Sequence, residues 1–131
     1  MLFRNSTPLA FPTRDDPMSI ATDARYNVIG ACLNQIQDGE IRPLSFFSRK
    51  LSPTESRYST FDKELLAVFA AVKKWRDIIS TNNTTVLTDH KPIIGAFKSN
   101  KSRLSDRQQR HLSFISKFWY VRSLATYSNL S

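Results

Sequence analysis

The sequence predicts an α/β fold with a five-stranded mixed sheet, and two changes of pattern along the chain lead to this prediction. Three runs of β-type residues follow one another from Met18 to Leu51 with short turns between them, which indicates an antiparallel meander. An apolar stripe at helical spacing then runs from Phe61 to Ile79, and two further strands are predicted beyond it with helical segments between them. This order of strands and helices is typical of a mixed sheet flanked by helices.

Turn and strand signals set the bounds of the five strands. The meander strands are predicted over residues 18–24, 28–35 and 41–51, with Arg25-Tyr26-Asn27 as a tight connection and Asp38-Gly39 as a second turn. The later strands are predicted over 84–89 and 120–127. Because the meander strands are consecutive, we expect them to pair with their sequence neighbours.

Helix start signals separate the strands. Ser52 precedes Pro53, with Glu55 three residues after the serine, and this is a capping-box pattern with proline at the first helical position. Ser59, with an acid three residues on, begins the long amphipathic helix, and Ser105 with Gln108 begins a later one. A short helix is also predicted from Lys91-Pro92 to Lys98.

The length of 131 residues suits one domain. Residues 1–17, punctuated by three prolines, are predicted to be an irregular lead-in, and residues 18–131 to form the domain. The longest apolar run, 65–72, is too short to span a bilayer, and the amino-terminal residues lack a secretory pattern. We therefore expect no membrane partner and an intracellular, reducing setting, in which the single Cys32 is a small buried hydrophobe.

The positive charge is concentrated in the second half of the chain. The chain holds 19 Lys/Arg and 11 Asp/Glu, for a formal net charge of +8. Residues 1–66 hold 8 of each kind, whereas residues 67–131 hold 11 basic and 3 acidic residues. A partner rich in phosphate is the first expectation from this balance.

Three acids occupy positions that suit metal chemistry. Asp23 lies in the first predicted strand, Asp89 ends the fourth, and Glu64 borders the apolar stripe of the long helix. If the first and fourth strands are neighbours, the two aspartates meet at one face of the sheet, and Glu64 can lean toward the same point.

Clustered carboxylates repel one another unless a cation compensates, and oxygen-only ligation suits Mg²⁺ or Mn²⁺. Two such ions about 3.5–4 Å apart would support phosphodiester hydrolysis. Taken singly, each acid has a plainer interpretation, as a turn or cap residue or as a helix-dipole partner. The three acids occur together in a chain whose positive charge is concentrated in its second half, and this combination favours the metal site.

Seven blocks of this sequence resemble, in order and spacing, the ribonuclease H domain of Ty3/gypsy-type retrotransposon polyproteins. They cover nearly all of residues 9–126. The blocks are LAFP (9–12), ATDA (21–24), IGACL (29–33), PLSFFSRKLSP (43–53), YSTFDKELLA (58–67), TDHKP (88–92) and RQQRHLSFIS (107–116).

This resemblance implies an RNase H fold in which Asp23, Glu64 and Asp89 bind two Mg²⁺ ions. It also implies the family's reaction, hydrolysis of the RNA strand of an RNA–DNA hybrid during reverse transcription, and a polymerase domain of the same polyprotein as partner. If the element is intact, such a domain would be found in cytoplasmic retrotransposon particles.

The sequence departs from the family pattern at two places. Arg25 stands where the family has serine after its first Asp-Ala. The family also continues past the fifth strand into a last helix that supplies a fourth carboxylate, and nothing after Ser131 supplies one here. We therefore expect this sequence to be a fragment, a remnant or a partial gene model that lacks the last helix, with weak activity in isolation.

The basic segment is the predicted nucleic-acid surface. Residues 91–122 hold eight Lys/Arg and one acid, and such a run is either solvated surface or a phosphate-binding stripe. Two functions rival the RNase H activity. One is a truncated module that binds nucleic acid or packs on a polymerase without catalysis, and the other is a general scaffold. The predicted phosphate contacts are Lys98, Lys101, Arg103, Arg107 and Arg110.

Overall fold

The computed structural model describes residues 17–79, 84–88, 92, 95, 104–118 and 124–125. Within these residues five strands form a sheet in the order β3-β2-β1-β4-β5. The first three pair antiparallel, whereas β4 runs parallel to both β1 and β5. The strands are β1 (Met18–Ala24), β2 (Val28–Gln37), β3 (Glu40–Lys50), β4 (Thr84–Leu87) and β5 (Leu124–Ala125).

Four helices accompany the sheet in the described residues, and the α/β class with a mixed sheet is confirmed. Of the predicted short helix over residues 91–98 the structure describes Pro92 and Gly95, both helical, and of the predicted lead-in over residues 1–17 it describes Pro17. The helices are α1 (Pro53–Ser56), α2 (Thr60–Lys74), α3 (Arg76–Ile79) and α4 (Asp106–Phe118).

Local sequence signals explain the turns of the meander. Asp38 and Gly39 have φ values of 53° and 79°, and a two-residue hairpin turn that needs positive φ at both positions favours this pair of residues. The β2–β3 pairing shifts register next to Pro43, in an edge strand where proline's missing N–H is tolerated.

Serine caps begin the helices as predicted. The Ser52 hydroxyl accepts a hydrogen bond from the Glu55 amide, and the Glu55 carboxylate accepts one from the Ser52 amide, which completes a capping box. Ser59 caps α2 by accepting from the Asp62 amide at 3.1 Å. These bonds satisfy amides that the first helical turn leaves unpaired.

The core lies between one face of the sheet and α2. Side chains of β1 alternate, so Ile20 points into this core, where Leu65 and Val68 of α2 are also fully buried. Leu112 and Ile115 extend the same core from α4. The burial of this apolar area is the main stabilising contribution to the arrangement.

Two sets of contacts hold α4 against α2. Asp62 accepts hydrogen bonds from Arg107 at 3.2 Å and from the Gln108 side-chain amide at 2.7 Å. The oxygen of the same Gln108 side-chain amide accepts a hydrogen bond from the Ser105 backbone N–H. One glutamine therefore serves both the helix cap and the contact between the helices. Farther along α4, ring contacts with α2 continue the interface.

His111 lies within those ring contacts. Its imidazole stacks on Phe69 at a centroid distance of 4.3 Å, and Phe114 meets the same ring edge-on at 5.1 Å. Burial lowers the pKa of His111 below its ordinary value of 6.5, and the charges of Arg107 and Arg110 lower it further against the opposing effect of Asp62. The imidazole is therefore neutral near pH 7.

Cys32 is buried in β2, as predicted. Its thiol is directed at the Asn34 side-chain oxygen at 3.2 Å, and burial raises its pKa. A thiol in this state is a poor nucleophile. None of the helices in the described residues has both the length and the hydropathy that crossing a bilayer requires.

Truncation of Leu65 tests the core. Leu65→Ala should lower the free energy of unfolding by about 2–5 kcal/mol, because it removes a fully buried side chain from the α2–sheet interface. Lys73→Ala, on the exposed side of the same helix, should stay within about 0.5 kcal/mol of the wild type. Urea unfolding followed by circular dichroism measures both, and equal losses would contradict this account of the core.

Protonation of His111 should destabilise the fold. The unfolded chain binds this proton more readily than the folded one. The contribution of neutral His111 to the free energy of unfolding is therefore complete above pH 6.5 and is lost as the pH falls toward the folded-state pKa. His111→Phe keeps a ring on Phe69 without a titrating group, and its stability should change less between about pH 7.5 and 5.5. The pKa of Glu55 is lowered from 4.5, chiefly by its hydrogen bond with Arg49, so the loss of stability that follows its protonation occurs at lower pH. If the stability of the wild type and of His111→Phe depended on pH in the same way, the role assigned to His111 would be refuted.

Candidate active site at the carboxyl end of strand β1

Strands β1 and β4 are neighbours, as the sequence analysis required for its two aspartates to meet. Ala21 pairs with Leu87 in parallel register. The Thr22 hydroxyl donates to the Leu87 carbonyl at 3.5 Å and so links the two strands near their carboxyl ends. Thr88, the next residue after β4, is fully buried.

Asp23 lies at the carboxyl end of β1 on the face opposite α2. Strand alternation places it with Ala21, whereas Ile20 and Thr22 face the helix. Its side chain is 32% exposed and accepts a hydrogen bond from Arg25 Nε at 3.1 Å. The β2 residue directly opposite is Gly30, which brings no side chain against the carboxylate.

Glu64 approaches the same end of β1 from the helix side. It is half-buried in the second turn of α2, next to the fully buried Leu65. The residue before it, Lys63, donates to the Tyr26 carbonyl at 2.9 Å, and its ammonium lies 5.2 Å from the centre of the Tyr26 ring. The helical turn that carries Glu64 is thereby attached to the connection that follows Asp23.

Asp89, the third predicted ligand, lies outside the described residues. Among the residues that the structure describes, no group of three or more His, Cys, Asp or Glu side chains could hold a metal ion. Asp89, one member of the predicted set, is not among these residues. The meeting of all three acids therefore stays a prediction. The chemistry of the donors, carboxylate oxygens without sulfur or nitrogen, fits Mg²⁺ or Mn²⁺.

The predicted phosphate contacts divide into two groups. Lys98, Lys101 and Arg103 lie outside the described residues. Arg107 is occupied within the protein, because its guanidinium pairs with Asp62 at 3.2 Å and lies 4.1 Å from the centre of the Tyr58 ring.

Arg110 is exposed on α4 and, with Lys117, lines a shallow cleft of about 750 Å³. The phosphate contacts remain predictions, and Arg110 is the described arginine whose position suits that role. Phe69 and Phe114 are the phenylalanines among the residues that line the cleft.

Sequence reasoning missed the side-chain pairs that build this region. The contacts of Asp62 with Arg107 and of Lys63 with Tyr26 join residues 45 and 37 positions apart, and no local pattern marks them. The pairing of Arg25 with Asp23 is local by contrast, because it joins residues two apart, one in β1 and one in the connection that follows it.

Comparison with known proteins identifies the family. Residues 13–118 match the model of the RNase H-like domain found in reverse transcriptase. The chain is 39% identical over 90 residues to the retrovirus-related Pol polyprotein from transposon opus of Drosophila melanogaster, a match that spans 68% of this chain and 9% of that protein. It is 31% identical over 102 residues to the transposon Tf2-3 polyprotein of Schizosaccharomyces pombe, which covers 76% of this chain and 8% of the polyprotein.

Solved structures agree on the fold. A foamy viral protease-reverse transcriptase in complex with double-stranded DNA superimposes with a TM-score of 0.70 at 13% identity, covering 92% of this chain and 21% of that one. RNase H1 from the archaeon Halobacterium salinarum superimposes with a TM-score of 0.53 at 10% identity, covering 86% and 82% of the two chains. The likeness is to the RNase H-like fold, and with the sequence matches it shows that this chain belongs to the family of RNase H-like domains found in reverse transcriptases.

Proposed function

We propose that this RNase H-like domain of a retrotransposon reverse transcriptase hydrolyses the RNA strand of RNA–DNA hybrids in a Ty3/gypsy-type element. The observation that carries the proposal is the parallel pairing of β1 and β4 next to Asp23. Ala21 pairs with Leu87, and in the sequence an aspartate follows two residues after each of them, at Asp23 and Asp89. This equal spacing beyond a parallel pair supports one shared metal site for the two carboxylates.

Three acids of the chain share one task in this proposal. Asp23, Glu64 and Asp89 would hold two Mg²⁺ ions, with Mn²⁺ as a substitute. The ions, when bound, supply an activated water and stabilise the leaving oxygen. Lys63 attaches α2 to the β1–β2 connection, and this supports the proposal, because reacting groups require fixed placement.

Nucleic acid would be held by charge rather than by base recognition. The excess of basic residues in the second half of the chain is suited to backbone phosphates, which position a duplex without reading its sequence. The foamy viral enzyme, a fold neighbour, was solved in complex with an RNA/DNA hybrid, and this supports a hybrid as the ligand here. Since the chain spans less than a tenth of its polyprotein relatives, we further propose that a polymerase domain of the same polyprotein is its partner.

Hybrid cleavage tests the enzymatic proposal. With an RNA–DNA hybrid labelled on its RNA strand, the chain should release RNA fragments only when Mg²⁺ or Mn²⁺ is present. Asp23→Asn, Glu64→Gln and Asp89→Asn should each lower the rate by about 100-fold or more, because each removes a charged metal ligand.

Asp38→Asn is the matched control for these substitutions. It makes the same chemical change at an exposed turn position where asparagine accepts positive φ, so cleavage should be unaffected. Cleavage that survives Asp23→Asn would refute the assignment of the site. Hybrid binding without metal-dependent cleavage would favour the non-catalytic module instead.

A comparison of Arg110 with Arg107 tests the nucleic-acid surface. For hybrid binding measured without divalent metal, Arg110→Gln should reduce the slope of log affinity against log salt by about one, the effect of one lost phosphate contact. Arg107→Gln should leave that slope nearly unchanged and lower stability instead, because Arg107 is paired with Asp62. A larger slope change for Arg107 than for Arg110 would contradict this division.

A further inference from the structure

Arg25 is the cation that contacts the carboxylate of Asp23. The two side chains lie two residues apart, and their contact joins a single nitrogen, Nε, to a single oxygen, Oδ2, at 3.1 Å. The Arg25 side chain is 73% exposed, so most of it remains in water while its Nε contacts the carboxylate. An exposed pair with one contact is readily displaced by a stronger ligand.

The backbone around Arg25 is held in place. The Arg25 amide donates to the Val28 carbonyl at 2.8 Å and closes the β1–β2 connection. The next residue, Tyr26, is held against α2 by Lys63, through its carbonyl and through its ring. The arginine therefore projects from an anchored turn, and its approach to Asp23 does not depend on the ordering of a loose loop.

A second arginine pair in the chain shows a different geometry. Arg49 contacts both oxygens of Glu55, through NH1 at 3.0 Å and NH2 at 3.3 Å, and Glu55 also accepts the capping bond from Ser52. That pair supports a helix start. The pair at Asp23 supports no cap, and its carboxylate is the group that the proposed function assigns to a metal ion.

From these contacts we infer that Arg25 is an internal counter-ion that competes with the divalent metal for Asp23 and so weakens metal affinity. The inference rests on the proposed function, since it concerns the metal that Asp23 would hold. A guanidinium and a divalent ion are both cations that are attracted to the same carboxylate, so Arg25 partly neutralises the charge that would bind the metal and repels the metal as it enters. The free domain would then bind metal less tightly than its carboxylates alone would allow.

Binding of Mn²⁺ alone to the whole chain, without nucleic acid, tests the inference, with free Mn²⁺ measured by electron paramagnetic resonance. Arg25→Gln should lower the dissociation constant for Mn²⁺ by about two- to five-fold, the range expected for loss of one exposed ion pair. Arg25→Lys should give an intermediate value, because it keeps the charge without the guanidinium contact. Arg49→Gln, which makes the same charge change at the other pair, should bind as the wild type does.

The outcomes separate this inference from the function on which it rests. If Asp23→Asn weakens Mn²⁺ binding while Arg25→Gln and Arg49→Gln both match the wild type, the competition is refuted and the metal site stands. If Asp23→Asn leaves Mn²⁺ binding unchanged, Asp23 is no ligand and both proposals fail. Tighter binding in Arg25→Gln alone supports the competition.

Discussion

The packing of α2 across β1 is the contact on which the rest of the structure depends. Leu65 and Val68 bury their side chains against the face of the sheet that includes Ile20. Because successive residues of a strand point to opposite faces, the same packing directs Asp23 away from the core. One strand thus supplies a row of side chains that faces α2 and a second row that ends in a carboxylate, and a one-residue slip in its register would turn the acid toward the helix.

Features that depend on neighbours in sequence could be predicted, and features that depend on distant residues could not. The bounds of β1, the capping box at Ser52 and the turn at Asp38-Gly39 are local, and the structure confirms them. The adjacency of β1 and β4 was a condition of the predicted site, and it holds. The attachment of α4 through Asp62 has no local signature, because its partners become neighbours only after both helices have docked.

The count of 19 Lys/Arg overstates the number of cations that are available to a ligand. Arg107 serves the helix interface, Arg49 serves a helix cap, and Lys63 attaches a turn to α2. Composition counts these residues as phosphate binders, although each has a structural partner. A basic composition therefore sets an upper limit on the number of phosphate contacts, and the contacts within the fold decide how many side chains remain for them.

The register shift beside Pro43 has a consequence for the behaviour of many copies of the domain. Strand β3 is an edge of the described sheet, eleven residues long, and Ile41 on it is exposed. A long flat edge invites a strand from another molecule to pair with it. Proline removes a hydrogen-bond donor there, the register shift interrupts the regular ladder, and Arg42 adds an exposed charge. These features guard the edge against aggregation when copies are crowded together.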